Sequence, residues 1–253
     1  MKLCALNREA LDGLFASVNS TKSPAQDVTI AFSGLGLGAS RHAPAGATAP
    51  NARQPSIDEL ATVLQALRKL REAITASSRT DTFARRAYYF SIHVAVLCRD
   101  WESYVPALHS LLSVIHPRCP LPAHDLKDFV GLQILDQACR QADYAGARET
   151  KLLYAYNDRR VESVMRALVA DDWVAFWRVR RSVDGYQRSV MGFAEARVRV
   201  HALKCLGRGY MSAERRFVER VTERAWSDLV NDGVGWELSG DGERVMIKRL
   251  KGT

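Results

Sequence analysis

The chain has 253 residues, of which 47% are hydrophobic and 25% charged, a composition typical of one or two globular domains with a substantial core. No apolar run approaches the ~20 residues of a transmembrane helix, and the opening residues MKLCALNREALDG lack the continuous apolar centre of a signal peptide. The five cysteines are scattered singly, which predicts reduced thiols rather than a disulfide framework. We therefore expect an intracellular protein without membrane spans.

The net charge of +8 is unevenly distributed along the chain. From Arg148 to the C-terminus there are 21 Lys or Arg and 15 Asp or Glu, so this part contributes +6. A basic region favours acidic partners, either nucleic acid or an acidic protein. Because charges of both signs are interleaved, we expect most of them to form an ordinary solvated face.

The N-terminal part divides into a short helical pattern, residues 1–19, and a segment rich in Gly, Ala, Ser and Pro, residues 20–55. The second segment is predicted to be a disordered or flexible linker. Within it, VTIAFSGLGLGAS resembles a strand followed by a glycine-rich phosphate loop. Pro44 and Pro50 occupy the place of the helix that would receive the phosphate, and the glycine spacing fits no nucleotide-binding motif. We therefore expect no nucleotide site.

Residues 56–207 carry helical patterns throughout and no strand pattern, which predicts an all-helical array. Ser56 and Glu59 form a capping box that opens the first of these helices. The later helices are predicted over Phe83–Leu97, Trp101–Ile115, Leu126–Ala142, Ala145–Tyr156, Val161–Val169, Trp173–Arg181 and Tyr186–Leu206.

Three of the predicted helices begin with an aspartate followed by an aromatic residue. The aspartate is the expected N-cap, and the aromatic residue is expected to pack against the preceding helix. The N-caps are 43 and then 29 residues apart, whereas helical solenoids repeat every ~34–47 residues. The three pairs are Asp100-Trp101, Asp143-Tyr144 and Asp172-Trp173.

The third pair lies in the stretch DDWVAFWRVRR, which has two interpretations. Trp173, Phe176 and Trp177 are spaced as the buried face of a helix, and aromatic residues at this spacing usually belong to a core. The alternative is an aromatic box in which nucleic-acid bases stack on Trp173 and Trp177, which requires exposed rings.

The last part of the chain, residues 208–253, has a different pattern. Two short helical patterns, one bearing Phe217 and Val221 and one over Ala225–Val230, precede two runs with alternating apolar residues. These runs, VGWEL and RVMIK, flank the turn SGDG, which predicts a β-hairpin. Helices followed by a two-stranded wing indicate a winged helix. The predicted fold class is therefore mostly α, a helical-repeat array over residues 56–207 followed by a small α+β winged helix.

The segments ALVADDWVAFWRVRR, RVHALKCLGRGY and MSAERRFV together resemble the PCI domain, most closely its small-subunit branch. That branch contains the eighth signalosome subunit, a proteasome lid subunit and the k subunit of translation initiation factor 3. The resemblance covers residues 83–251 and rests on architecture and hydrophobic pattern; the insertion over residues 20–55 departs from it. It implies a right-handed TPR-like array and a non-catalytic scaffold in the nucleus and cytoplasm, bound to other PCI-domain subunits.

The resemblance also implies a pairing surface on the hairpin. An unpaired edge strand can add a strand from a neighbouring subunit, since backbone hydrogen bonds make few demands on sequence. We expect the edge at Val245–Ile247 to pair in this way. The candidate partner-binding residues are Trp236, Arg244, Val245, Met246, Ile247 and Lys248.

A nucleic-acid interface is the alternative, because the region also resembles the Sac/GANP branch of PCI proteins, which binds nucleic acid through the winged helix. Glu214, Glu219 and Glu223 interrupt the basic run, and pairing within the helix would reduce its attraction for phosphate. The candidate residues of this interface are Arg215, Arg216, Arg220, Arg224 and Arg249.

Catalytic and metal-binding patterns are weak. His109, His116, Cys119 and His124 are zinc-ligand types, but only His116 and Cys119 have the close spacing that zinc sites use. No catalytic motif is present. His93 and His201 lie among apolar helical residues and are expected to be buried rather than catalytic. We expect no metal, no cofactor and no small-molecule substrate.

Overall fold

The computed structural model describes residues 57–248, and these residues are mostly helical. The predicted N-terminal helix, the linker with its glycine-rich segment, the Ser56 cap and Arg249 lie outside the described residues. The α-helices are α1 Ile57–Ala76, α2 Thr82–Leu97, α3 Trp101–Ser110, α4 His116–Arg118, α5 Ala123–Cys139, α6 Tyr144–Leu153, α7 Arg159–Val169, α8 Trp173–Ser182, α9 Gly185–Met191, α10 Glu195–Gly209, α11 Arg215–Thr222 and α12 Trp226–Asn231.

The six helices predicted between residues 83 and 181 are confirmed, and the described chain contains no strand before Ser212. The helix predicted from Trp101 continues beyond α3 as a π-helical turn, Leu111–Ile115. The single long helix predicted over Tyr186–Leu206 is wrong. A 3₁₀ turn, Gly192–Ala194, separates α9 from α10, where Gly192 weakens the α-helical preference.

The three aspartates predicted as N-caps have that role. In each, a side-chain oxygen accepts a hydrogen bond from the backbone N–H three residues later. Each also follows a residue in the left-handed backbone conformation, so the three turns share one geometry. The donors are Ser103, Gly146 and Ala175, and the left-handed residues are Arg99, Ala142 and Asp171.

The aromatic residue directly after the cap is not the buried one. Trp101 is 45% exposed, which contradicts its predicted packing against the preceding helix. The residue three positions later faces inward instead, since it lies one helical turn further on. Tyr104 in α3 and Phe176 in α8 are fully buried at this position.

The described residues form two compact units, residues 57–133 with 184–190 and residues 134–183 with 191–248. In the first unit, the His93 ring stacks on Phe129 and on Tyr186, with ring centroids 5.3 and 4.4 Å apart. Ser189 Oγ donates a hydrogen bond of 2.7 Å to the carbonyl of Val96. Residues 184–190 are therefore fixed to this unit by both stacking and hydrogen bonding.

The second unit ends in a module that contains the described strands. These are β1 Ser212–Glu214, β2 Glu237–Leu238 and β3 Arg244–Met246, which form an antiparallel sheet in the order β1-β3-β2. Val245 lies opposite Ala213 on one side and Leu238 on the other. The predicted hairpin, β2–β3, is confirmed, and β1 is a third strand that the sequence did not indicate.

The third strand overturns one prediction. The segment Val245–Ile247 was expected to present a free edge, but β3 is the central strand and has neighbours on both sides. The free edges of this sheet belong to β1 and β2.

No helix among residues 57–248 is long and apolar enough to cross a bilayer.

Candidate functional site

The C-terminal module, α10 to β3, has its own apolar core. Trp236 and Ile247 are partly buried against this core, and Trp236 passes close to Gly207, where an added Cβ would lie 3.6 Å from the ring. The buried members are Leu206, Ala213, Val218, Trp226, Leu229 and Val245.

The predicted partner-binding residues therefore lie in different surroundings. Val245 is completely buried and supports the sheet from inside, so its side chain cannot contact a partner in this fold. Arg244, Met246 and Lys248 are exposed, as the alternation of a strand requires. These three residues are distributed along β3 and just beyond it, whereas Trp236 and Ile247 pack partly against the core.

The backbone of β2 provides the exposed edge of the hairpin. The Ser239 N–H donates to the Arg244 carbonyl, and Leu238 lies opposite Val245. In antiparallel pairing, alternate residues direct their backbone groups toward the neighbouring strand. Leu238 therefore directs its N–H and C=O away from β3, whereas Met246 directs its N–H toward β2.

Two arginines of the basic run over residues 215–224 form ion pairs within the module. Arg215 lies 3.6 Å from Glu219, and the Arg224 guanidinium lies 3.7 Å from Asp228 and 3.3 Å from Asp232. These ion pairs reduce the positive charge available to a phosphate.

The two remaining arginines of α11 differ from those ion-paired residues. The Arg220 guanidinium lies over the Phe217 ring, 5.6 Å from its centroid. Arg216 is exposed and makes no ion pair with a described carboxylate. The next helix, α12, contains no Lys or Arg. The structure therefore does not bring the predicted nucleic-acid-binding residues together as one open basic face.

The C-terminal end of α11 is held by side chains from earlier helices. Trp177 Nε1 donates a 3.0 Å hydrogen bond to the Val221 carbonyl, and Arg199 Nε donates one of 2.9 Å to the Thr222 carbonyl. Burial lowers the pKa of Arg199, and nearby Glu195 opposes that shift. Trp177 is 3% exposed. The aromatic-box hypothesis is therefore wrong for Trp177, which fixes the module to α8.

Sequence reasoning missed this anchor because Trp177 and Val221 are 44 residues apart. No short sequence motif indicates that a tryptophan N–H will donate to a carbonyl at the end of a helix far along the chain. A further ion pair, between Arg181 and Glu223, lies at the same junction.

Trp173 lies in different surroundings, one helical turn before Trp177. It is half-buried and lines a small cleft with Asp171, Arg197 and His201, and its ring centroid lies 5.8 Å from that of His201. Its Nε1 is buried and has no hydrogen-bond partner among the described residues. Base stacking requires open ring faces, whereas the Trp173 ring is half-buried and contacts His201.

The other candidate chemical groups do not converge. His116 Nδ1 accepts a hydrogen bond from the Leu121 N–H, and the Cys119 Sγ lies 3.9 Å from an Arg85 nitrogen. His201 Nε2 lies 3.3 Å from Cys205 Sγ, but Cys205 does not line the cleft beside Trp173. Among residues 57–248, no group of three or more His, Cys, Asp or Glu side chains is placed to hold a metal ion.

Comparison with known proteins gives no further identification. No model of a known protein family matches the chain, and no curated protein matches its sequence.

Proposed function

We propose that the chain is a non-catalytic scaffold subunit of a multiprotein complex, with a PCI-type arrangement. In this arrangement a right-handed TPR-like helical array precedes a winged helix. The main support is the element order α10-β1-α11-α12-β2-β3 with β3 in the middle of the sheet, which is the order expected of a winged helix. The packing of α2 on α3 and of α7 on α8 through Asp-capped turns supports the repeat interpretation.

The proposed partners are PCI-domain subunits of a signalosome, proteasome lid or initiation factor complex, in the nucleus and cytoplasm. The edge of β2 at Leu238 is the proposed pairing surface, since its backbone groups face away from the sheet. Strand addition there would extend the three-stranded sheet into a neighbouring subunit.

The experiment is affinity purification of the tagged full chain from cells, with partners identified by mass spectrometry. The proposal predicts a set of subunits from one such complex. Leu238→Pro removes an outward N–H and should abolish that set, whereas Leu238→Ala retains the N–H and should preserve it. Met246→Pro is unsuitable, because the Met246 N–H points toward β2 and its loss would disturb the fold.

The stability of both variants should be measured first, so that unfolding is not mistaken for lost binding. A folded Leu238→Pro variant that retrieves every partner would show that strand addition is not the mode of assembly. Recovery of no PCI-domain subunit with the parent chain would contradict the scaffold assignment itself.

Nucleic-acid binding through the winged helix is the alternative function. The ion pairs of Arg215 and Arg224 weigh against it, and the exposed Arg216 supports it. Arg215→Ala combined with Arg216→Ala should leave weak nucleic-acid binding unchanged if the scaffold proposal is right. A tight complex that the double variant abolishes, with a salt slope that falls by about one per lost phosphate contact, would favour the alternative.

A further inference from the structure

One end of the module carries an exposed surface that combines cations with aliphatic side chains. We call it the basic patch and define it by Val200, Lys204, Arg208, Met211 and Lys248, all of which are exposed. The first three recur every four residues along α10 and therefore share one face of that helix. The last two follow α10 and β3, respectively.

Hydrogen bonds connect the parts of the basic patch. Lys248 Nζ donates to the Arg208 carbonyl at 3.2 Å, and the Lys248 backbone N–H donates to the Met211 carbonyl at 3.1 Å. The end of α10 and the end of β3 are thus held side by side. The patch is a surface built by the fold, because 40 residues separate Arg208 from Lys248.

The cations of the basic patch are not neutralised within the module. None of Lys204, Arg208 and Lys248 forms an ion pair with a carboxylate among residues 57–248, in contrast to Arg215 on α11 and Arg224 just after it. An anionic partner would therefore meet several uncompensated charges.

The apolar members of the patch indicate which kind of anion it fits. Val200 is 49% exposed and Met211 is 46% exposed. Methionine adapts to apolar protein side chains of varied shape, whereas single-stranded nucleic acid requires open aromatic faces. The neighbouring Tyr210 is also 46% exposed, but it is a single ring, and Phe217 beside it lies beneath the Arg220 guanidinium, so the patch carries no series of open rings among the described residues.

We propose that the basic patch docks an acidic protein segment that carries apolar side chains between its carboxylates. Lys204, Arg208 and Lys248 pair with the carboxylates, and Val200 and Met211 contact the apolar side chains. This surface is separate from the β2 edge, and the inference goes beyond the proposed function by assigning a second partner-binding site.

The test uses fluorescence anisotropy of the full chain with three dye-labelled probes. They are a short peptide that alternates Glu or Asp with Leu, the same peptide with Ser in place of Leu, and a single-stranded oligouridylate. The Leu peptide should bind most tightly, and its affinity should fall with added salt. Lys204→Glu combined with Arg208→Glu should weaken it by at least about tenfold. Met211→Ser should weaken it by about threefold.

Arg148→Glu combined with Arg178→Glu is the matched control, because it makes the same charge change at exposed positions on α6 and α8. This control should bind the Leu peptide nearly as the parent does. Leu238→Pro should also retain binding of the Leu peptide. A failure of the proposed strand addition at β2 can therefore be distinguished from a failure of the proposed docking on the basic patch.

Three outcomes would overturn the proposal. The parent chain could fail to bind the Leu peptide, or both charge-reversed variants could lose affinity equally, which would indicate non-specific attraction. The third is tighter binding of the oligouridylate than of the peptide, with loss of that binding in the Lys204 and Arg208 double variant. This outcome would assign the patch to nucleic acid.

Discussion

The helices between residues 82 and 182 and the helices of the C-terminal module are positioned by different means. In the first region, α2, α3, α6, α7 and α8 each begin with an aspartate whose side chain accepts a backbone N–H. In the module, neither α11 nor α12 has such a cap at its N-terminus. Distant groups hold α11 instead, through Trp177 and Arg199. Sequence-local signals thus define the first region, and long-range contacts define the second.

The largest expected effect comes from removal of the Trp177 anchor. Trp177→Ala should lower the free energy of unfolding by about 3–5 kcal/mol, because it opens a cavity and leaves the Val221 carbonyl without its donor. Urea unfolding followed by circular dichroism measures this change. Trp101→Ala is the control and should cost about 1 kcal/mol or less, since this ring is 45% exposed.

The same contrast sharpens the prediction for Trp173. If the Trp173 ring were fully buried, Trp173→Ala would cost about 3–5 kcal/mol. The ring is only half-buried, so its removal should cost less than removal of Trp177. Equal costs at positions 101, 173 and 177 would show that the Trp177 contacts do not hold the module in place.

Arg199 should make the second-largest contribution. Arg199→Met keeps most of the stem but removes the donor to the Thr222 carbonyl, so it should cost about 2 kcal/mol. The Arg199 guanidinium also lies 5.9 Å from the Trp177 ring centroid. We therefore expect the two substitutions to be non-additive, with a coupling of at least about 0.5 kcal/mol in a double-mutant cycle. A coupling of zero would mean that the two side chains hold α11 independently.

The sequence predicted the locally capped helices between residues 82 and 182 better than it predicted the C-terminal module. The caps at Asp100, Asp143 and Asp172 were found because the cap and its helix are adjacent in sequence. The strand Ser212–Glu214 was missed because it has three residues and no alternating apolar pattern, and its partner Arg244–Met246 lies about thirty residues later.

The missed strand also affected the candidate site. Without β1, the sequence predicts that Val245–Ile247 is an edge strand, whereas the backbone groups of Val245 face β1. The expected pairing within α11 is confirmed for Arg215, which lies 3.6 Å from Glu219, but not for Arg216 or Arg220. The pairing of Arg224 with Asp232 depends on how α12 folds back, which no helical spacing reveals.

The caps themselves should have smaller and independent effects. Asp172→Ala should cost about 1 kcal/mol, and Asp172→Asn should cost much less because the amide oxygen still accepts the Ala175 N–H. Asp100→Ala should behave in the same way. Because each cap acts locally, the two costs should be additive. The loss in unfolding free energy of the Asp100→Ala, Asp172→Ala double variant should equal the sum of the two single losses to within about 0.5 kcal/mol. Strong coupling between them would contradict the view that this region is locally determined.

The smallest expected effect is a pH dependence at the Asp81 cap. The hydrogen bond from the Ala84 N–H, assisted by Arg79, holds the pKa of Asp81 below its ordinary value. A lowered pKa in the folded state gives stability that is complete above the unfolded pKa of ~3.9 and is lost as the pH falls through the folded pKa. Asp81→Asn keeps a capping oxygen that does not titrate.

The measurement is the difference in unfolding free energy between the parent and the Asp81→Asn variant as the pH is lowered. The difference should be constant near neutral pH and should shift in favour of the variant below about pH 3.9, because only the parent loses a charged cap there. The Trp177 hydrogen bond joins an indole N–H to a carbonyl, and neither group titrates in this range. The cost of Trp177→Ala should therefore persist at low pH, so that acid weakens the locally capped region while the long-range anchor remains.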